Sequence, residues 1–169
     1  KMILSRDDDD GHAIYRDTFD LITQGLVNNE LTHNGEYFSV ANMPFPLSAV
    51  QKPHPPLWYG IANPASTEWP AQNGLNVITN QTVAATKEII SNYKKTWESS
   101  AQTSDQLPCL GMTRYLVISK SKETALSSAR RAYPVWRKSF MALWDLHGKE
   151  PIGVRYPETF DGLMEKGQG

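Results

Sequence analysis

Apolar residues in this chain gather in two ways, as short continuous runs and as stripes at helical spacing. Leu57 to Ala62, Leu75 to Thr79 and Cys109 to Ile118 are runs bounded by turn residues, the pattern of strands buried on both faces. The stripes predict helices. Tyr15, Phe19, Ile22 and Leu26 mark one over Ala13 to Val27, and Ile90, Tyr93 and Trp97 mark another that Thr82 caps. Ala125, Ala129, Ala132, Trp136, Phe140 and Leu143 mark a third, which starts at Ser121 and which Pro134 is expected to kink. Asn34-Gly35 makes a turn into a short strand, Glu36 to Val40, and Met43 to Val50 reads as loop. A last amphipathic piece surrounds Phe160, Leu163 and Met164. Each of the three apolar runs is followed by a helix, so the fold class is α/β, with a parallel sheet of right-handed βαβ units.

The rest is organised around Gln51 to Leu75, QKPHPPLWYGIANPASTEWPAQNGL. Pro53, Pro55 and Pro56 suit the entrance of a strand, because proline lacks a donor and favours extended geometry before it. Asn63 is placed to cap a helix, with Pro64 at its first position, where no donor is needed. Ser66, Thr67 and Glu68 fill the first turn, and Asn73-Gly74 closes the helix with residues that tolerate a left-handed backbone. Such a turn at the carboxyl edge of a parallel sheet can hold a phosphate or another anion. The plain alternative is that the polar residues only cap the helix.

Composition narrows the choice. The chain has 169 residues, 40% hydrophobic, which is enough for one domain with a real core, and residues 1–169 are read as a single domain. A formal charge of −1 gives no reason to propose nucleic acid or an anionic membrane as a partner. No apolar run is long enough to span a bilayer, and no signal-peptide pattern opens the chain. Cys109 stands alone, so an internal disulfide is excluded and a cytoplasmic location is expected.

Little catalytic chemistry is written in the spacing. Nucleophile-elbow, P-loop, zinc and dinucleotide patterns are all missing. His12, His33, His54 and His147 are scattered, and the run Asp7 to Asp10 lacks calcium-loop spacing, so no metal ligand is nominated. The aspartates read as a solvated lead-in to the first helix.

QKPHPPLWYG followed by ANPASTEWPAQNGL, with NGEYFSV and a helix before them, resembles the bacterial luciferase-like family of flavin-dependent monooxygenases. The resemblance runs from about His12 to Leu143. It implies a TIM barrel of which this chain would be an incomplete part, roughly strands five to seven with their helices. A complete barrel takes about 250 residues, more than are present. It also implies reduced FMN, or a deazaflavin coenzyme as the alternative, at the carboxyl ends of the strands. A small organic substrate such as an aldehyde would be oxygenated with molecular oxygen, and a flavin reductase would supply the reduced flavin. Asn63, Ser66 and Thr67 match the family's phosphate loop, and Ala62 the strand end beside the flavin ring, where luciferase itself has an acidic residue. Thr79 and Asn80 fall where residues line the same pocket, and His12 matches a basic position near the start of the first helix. No catalytic residue is nominated, since the family's catalytic histidine lies on earlier strands. A different reading is a non-catalytic remnant that binds or assembles through its sheet edges, and a homo-oligomer is expected because an incomplete sheet leaves edges unpaired.

Overall fold

The computed structural model describes residues 10–47, 49–100, 103–149 and 156–167. Two compact units divide the chain, Lys1–Pro56 and Leu57–Gly169.

The first unit is a helix, α1 (Gly11–Val27), followed by an antiparallel hairpin of β1 (Glu30–Asn34) and β2 (Ser39–Pro44). The hairpin corrects the expectation of one short strand at Glu36 to Val40. The strand lies a few residues later, takes in Met43 and Pro44 from the expected loop, and pairs with a strand the apolar pattern missed. β1 escapes that pattern because its two inward residues are Leu31 and His33, and the second is polar. Of the acidic run, Asp10 stands just before α1 and makes no capping bond, while Asp7 to Asp9 lie outside the described residues.

Helix and hairpin are joined by one carboxylate. Asp17 Oδ2 accepts from the main-chain N–H of Tyr37 (2.7 Å) and of Phe38 (2.9 Å), and Oδ1 meets His33 Nε2 at 2.5 Å. Gln24 Nε2 lies 3.2 Å from the other ring nitrogen of His33, so the buried imidazole is held on both sides. The turn between the strands is closed by Gly35 N–H donating to Phe38 O (2.9 Å). A Cβ on Gly35 would overlap the Asp17 carboxylate, which is why this turn takes glycine.

The second unit carries three parallel strands in the order β3-β4-β5: Trp58–Gly60, Asn76–Thr79 and Leu110–Met112. After β3 a 3-10 turn (Pro64–Thr67) leads into α2 (Glu68–Gln72), so the helix expected from Pro64 is broken into two short pieces at Ser66. α3 (Val83–Ser99) links β4 to β5, and α4 (Lys122–Leu146) and α5 (Phe160–Glu165) follow. α4 runs through Pro134 as one helix. The expected strands are present and parallel but shorter than the apolar runs that announced them.

The core lies between the sheet and α3. Ile61, Ala71, Val77, Ile89, Tyr93 and Trp97 form one buried cluster, with Ile89 and Tyr93 fully buried. Tyr93 donates its hydroxyl to Leu75 O (2.7 Å) just before β4, and burial pushes its pKa up to about 12. Asn76 ties the strand beginnings together: its Nδ2 donates to Leu57 O (3.1 Å) and its Oδ1 accepts from Cys109 N–H (2.8 Å). Gly74 has φ +63°, the left-handed turn expected of Asn73-Gly74 after a helix. A second cluster joins Tyr133, Tyr156 and Leu163, and the exposed pair Arg130–Asp161 links α4 to α5 at 2.9 Å.

Two outcomes follow from these contacts. Replacing Tyr93 by Phe keeps the ring but leaves the Leu75 carbonyl without its donor, at a cost of about 1–3 kcal/mol measured by urea unfolding. The second concerns pH. Burial raises the Asp17 pKa, but the Tyr37 amide, His33 and the Phe38 amide outweigh it, and the net shift is downward. A lowered folded pKa contributes stability that is complete above the ordinary carboxylate value and is lost as pH falls through the folded one. Acidification from about pH 5 to about pH 2 therefore releases the Tyr37 and Phe38 amides, which NMR shifts will report. Asp17→Asn should abolish that response.

Candidate functional site

The carboxyl ends of β3, β4 and β5 open into a cleft of about 290 Å³. Its walls are Gly60, Ile61 and Ala62 from the end of β3, Ile78, Thr79 and Asn80 from the end of β4, and Thr113 just past β5. Parallel pairing puts all three ends on one side, since Ile61 N–H donates to Ile78 O (2.9 Å) and Thr113 N–H to Thr79 O (2.8 Å). Three of the seven residues singled out in the sequence, Ala62, Thr79 and Asn80, thus share one cleft. None of its wall residues is ionisable.

Asn63, Ser66 and Thr67 follow directly in the turn after β3. Asn63 is the cap the sequence predicts, its side-chain oxygen accepting from Ala65 N–H (2.9 Å) and its carbonyl from Ser66 N–H (2.9 Å). Thr67 is buried and donates its hydroxyl to Pro64 O (3.0 Å), so that donor already serves the turn. Ser66 is exposed, and its hydroxyl makes no hydrogen bond among the described residues. His12 is the second residue of α1, exposed, in the first unit.

Space over the strand ends suits a flat ligand. Apart from its own chain neighbours, no heavy atom of the described residues lies within 4 Å of where a Cβ on Gly60 would stand, and nearby on the rim is the small Ala62. A ring system could lie against this backbone, with Asn63 and Ser66 next along the chain for its polar end.

Three residues of this region were not singled out in the sequence. Arg114 donates from Nη1 to Thr113 O (2.7 Å) and from Nη2 to Gln81 O (2.8 Å), bracing the strand ends. Thr113-Arg114 is a polar pair inside an apolar run, a signal that was there to be read. Tyr156 gave none. Its hydroxyl accepts from Asn80 Nδ2 (3.1 Å), although 76 residues separate the two in sequence. It is buried against α4, its ring edge-on to Trp136 (5.0 Å) and Phe140 (5.2 Å). Burial raises the pKa of neighbouring Tyr115 to about 12, and the nearby Tyr156 phenol adds to the rise. A second cleft, about 250 Å³ and lined mainly by apolar residues including Leu126, Phe160 and Leu163, lies where α4 meets α5. Among the described residues no group of three or more His, Cys, Asp or Glu could hold a metal, and no helix is long and apolar enough to cross a membrane.

Comparison with known proteins agrees with the architecture. The chain is similar to the y4wF protein of Sinorhizobium fredii, with 30% identity over 151 residues, 89% of this chain and 44% of that protein. In structure it is similar to the monooxygenase RslO1 from Streptomyces bottropensis, with a TM-score of 0.64 at 15% identity, over 82% of this chain and 44% of that one. The chain therefore spans less than half the length of either relative. The sequence pattern that defines the luciferase-like monooxygenases matches residues 3–168, nearly the whole chain. With α/β architecture and family pattern in agreement, the chain belongs to the luciferase-like monooxygenase family.

Proposed function

We propose that the chain supplies strands five to seven of a (β/α)8 barrel in a flavin-dependent monooxygenase, and that the cleft at the ends of β3, β4 and β5 holds reduced FMN. A deazaflavin is the alternative cofactor. The observation that carries this reading is the cleft itself, where three parallel strands end beside an Asn63-capped turn in a chain of this family. Ligands of parallel α/β folds sit outside the carboxyl ends of the strands, on the loops that follow them.

Division of labour among the residues follows from their environment. Gly60 and Ala62 leave room for the ring, and Thr79 and Asn80 line the same cleft. Ser66, with an uncommitted hydroxyl, is the donor for the phosphate, and Asn63 and Thr67 hold the turn that presents it. Bound flavin supplies the activation of oxygen, and the protein positions it and excludes water. The wall has no ionisable group, so this part of the site binds and orients, and proton transfer falls to residues elsewhere in the parent. A small organic substrate and a flavin reductase complete the proposed reaction.

In the full-length parent, Ser66→Ala should weaken FMN binding roughly ten- to a hundredfold, the effect of one hydrogen bond to a charged group. Thr67→Val should instead destabilise the apoprotein by about 1 kcal/mol, because it removes the bond to Pro64 O. Flavin titration and thermal unfolding of both variants give the test. Unchanged FMN affinity in Ser66→Ala would sink the phosphate assignment.

Edges carry a further expectation. Trp58 is 53% and Met112 49% exposed on the two outer strands, whereas parallel strands are ordinarily covered. The chain expressed alone should therefore self-associate, and light scattering that finds a stable monomer would count against this.

A further inference from the structure

We propose that Tyr156 is a positioning residue for Asn80, holding its amide in one orientation so that Oδ1 is offered at the cleft as an acceptor for a ligand N–H. This deepens the reading of the cleft as a ligand site and rests on it.

Asn80 lines the cleft at the end of β4 and is exposed. A side-chain amide there could turn either edge to a ligand, its two donors or its acceptor. One edge is already taken. Asn80 Nδ2 donates to the Tyr156 hydroxyl at 3.1 Å, and Oδ1 has no partner among the described residues. The acceptor Oδ1 is left wholly uncommitted for a ligand, beside one remaining N–H.

Tyr156 can fix that choice because it is itself held on several sides. Its ring is edge-on to Trp136 and Phe140, which stack on each other at 5.2 Å along α4. Its carbonyl accepts from Arg137 Nε (3.1 Å), and the next carbonyl, of Pro157, accepts from the Tyr133 hydroxyl (2.6 Å). A hydroxyl held this firmly costs little further entropy when it orients the amide. The aromatic stripe of α4 is thus linked to Asn80 through the Tyr156 phenol.

The test uses the full-length parent and the variants Tyr156→Phe, Asn80→Ala and the double variant. Tyr156→Phe keeps the ring packing and the main-chain bonds, and its thermal unfolding checks that the fold is retained. In 15N-labelled protein, the Asn80 side-chain amide protons should shift in Tyr156→Phe. An unchanged Asn80 signal would overturn the positioning role, whether or not flavin binds. With FMN as the probe, each single variant should bind roughly three- to tenfold more weakly, the effect of one neutral hydrogen bond. The double variant should bind no more weakly than Asn80→Ala alone, since Tyr156 acts through Asn80. Additive losses, or wild-type affinity in Tyr156→Phe, would overturn the inference. A parent that does not bind FMN at all would instead defeat the reading of the cleft, with the amide signal still deciding what Tyr156 does. 3-Methyl-FMN, which lacks the ring N–H, should bind wild type and Asn80→Ala alike, and an undiminished preference for wild type would reject the donor assignment.

Discussion

The hydroxyl of Tyr93 on the carbonyl of Leu75 is the contact on which the second unit depends. It is buried, so neither partner has water as a substitute, and it fixes where β4 begins. From that point the strand runs only four residues, Asn76–Thr79, and its end with Asn80 already lines the cleft. A shift of one residue would turn Val77 and Thr79 out of the core and Asn76 and Ile78 into it. α3 supplies the tyrosine, with Ile89 and Trp97 on the same buried stripe, so one helix both covers the sheet and sets its register.

Asn76 does comparable work at the opposite end from the cleft. Its amide joins the segment before β3 to the segment before β5, so three strand beginnings are held by one side chain. With the beginnings fixed and the strands short, the carboxyl ends have little freedom. Arg114 then braces them by donating to two main-chain carbonyls. The guanidinium serves here as a rigid set of donors, with no carboxylate beside it among the described residues. A cleft with uncharged walls is the result, shaped by polar groups that stand just outside it.

Local chemistry was the legible part of this chain. Asn63 before Pro64 predicts a cap because a short polar side chain reaches the first free amides, and that bond forms. Asn73-Gly74 predicts a left-handed exit, and Gly74 takes it. The alternation of strands and helices gave the parallel sheet, because apolar runs of strand length between helical stripes have few other solutions. What stayed hidden was long-range and polar. β1 shows one apolar inward residue and one histidine, and His33 is tolerated there because Asp17, sixteen residues earlier, and Gln24, nine earlier, meet its two ring nitrogens. Asn80 and Tyr156 are further apart still, and nothing in local spacing connects an asparagine after a strand to a tyrosine beyond α4. Periodicity measures which side of an element is apolar and is blind to which polar groups find each other.

Strand length shows the same limit from another side. Cys109 to Ile118 is rich in β-branched and aromatic residues, yet only Leu110–Met112 forms a strand. Their register runs from Val77 to Thr79, and Thr113 makes the last ladder bond, its N–H on Thr79 O. Beyond Thr79 the neighbouring chain turns away into Gln81 and the cap of α3, and among the described residues no partner strand remains for Arg114 to Ile118. Leu116 and Ile118 are 81% and 83% exposed as a consequence. β-propensity describes how well a side chain fits a pleated, covered surface, and the surface must be supplied by a neighbour. The point where β4 ends therefore decides two things at once: where the ladder of β5 stops, and where the cleft with Asn80 on its rim begins.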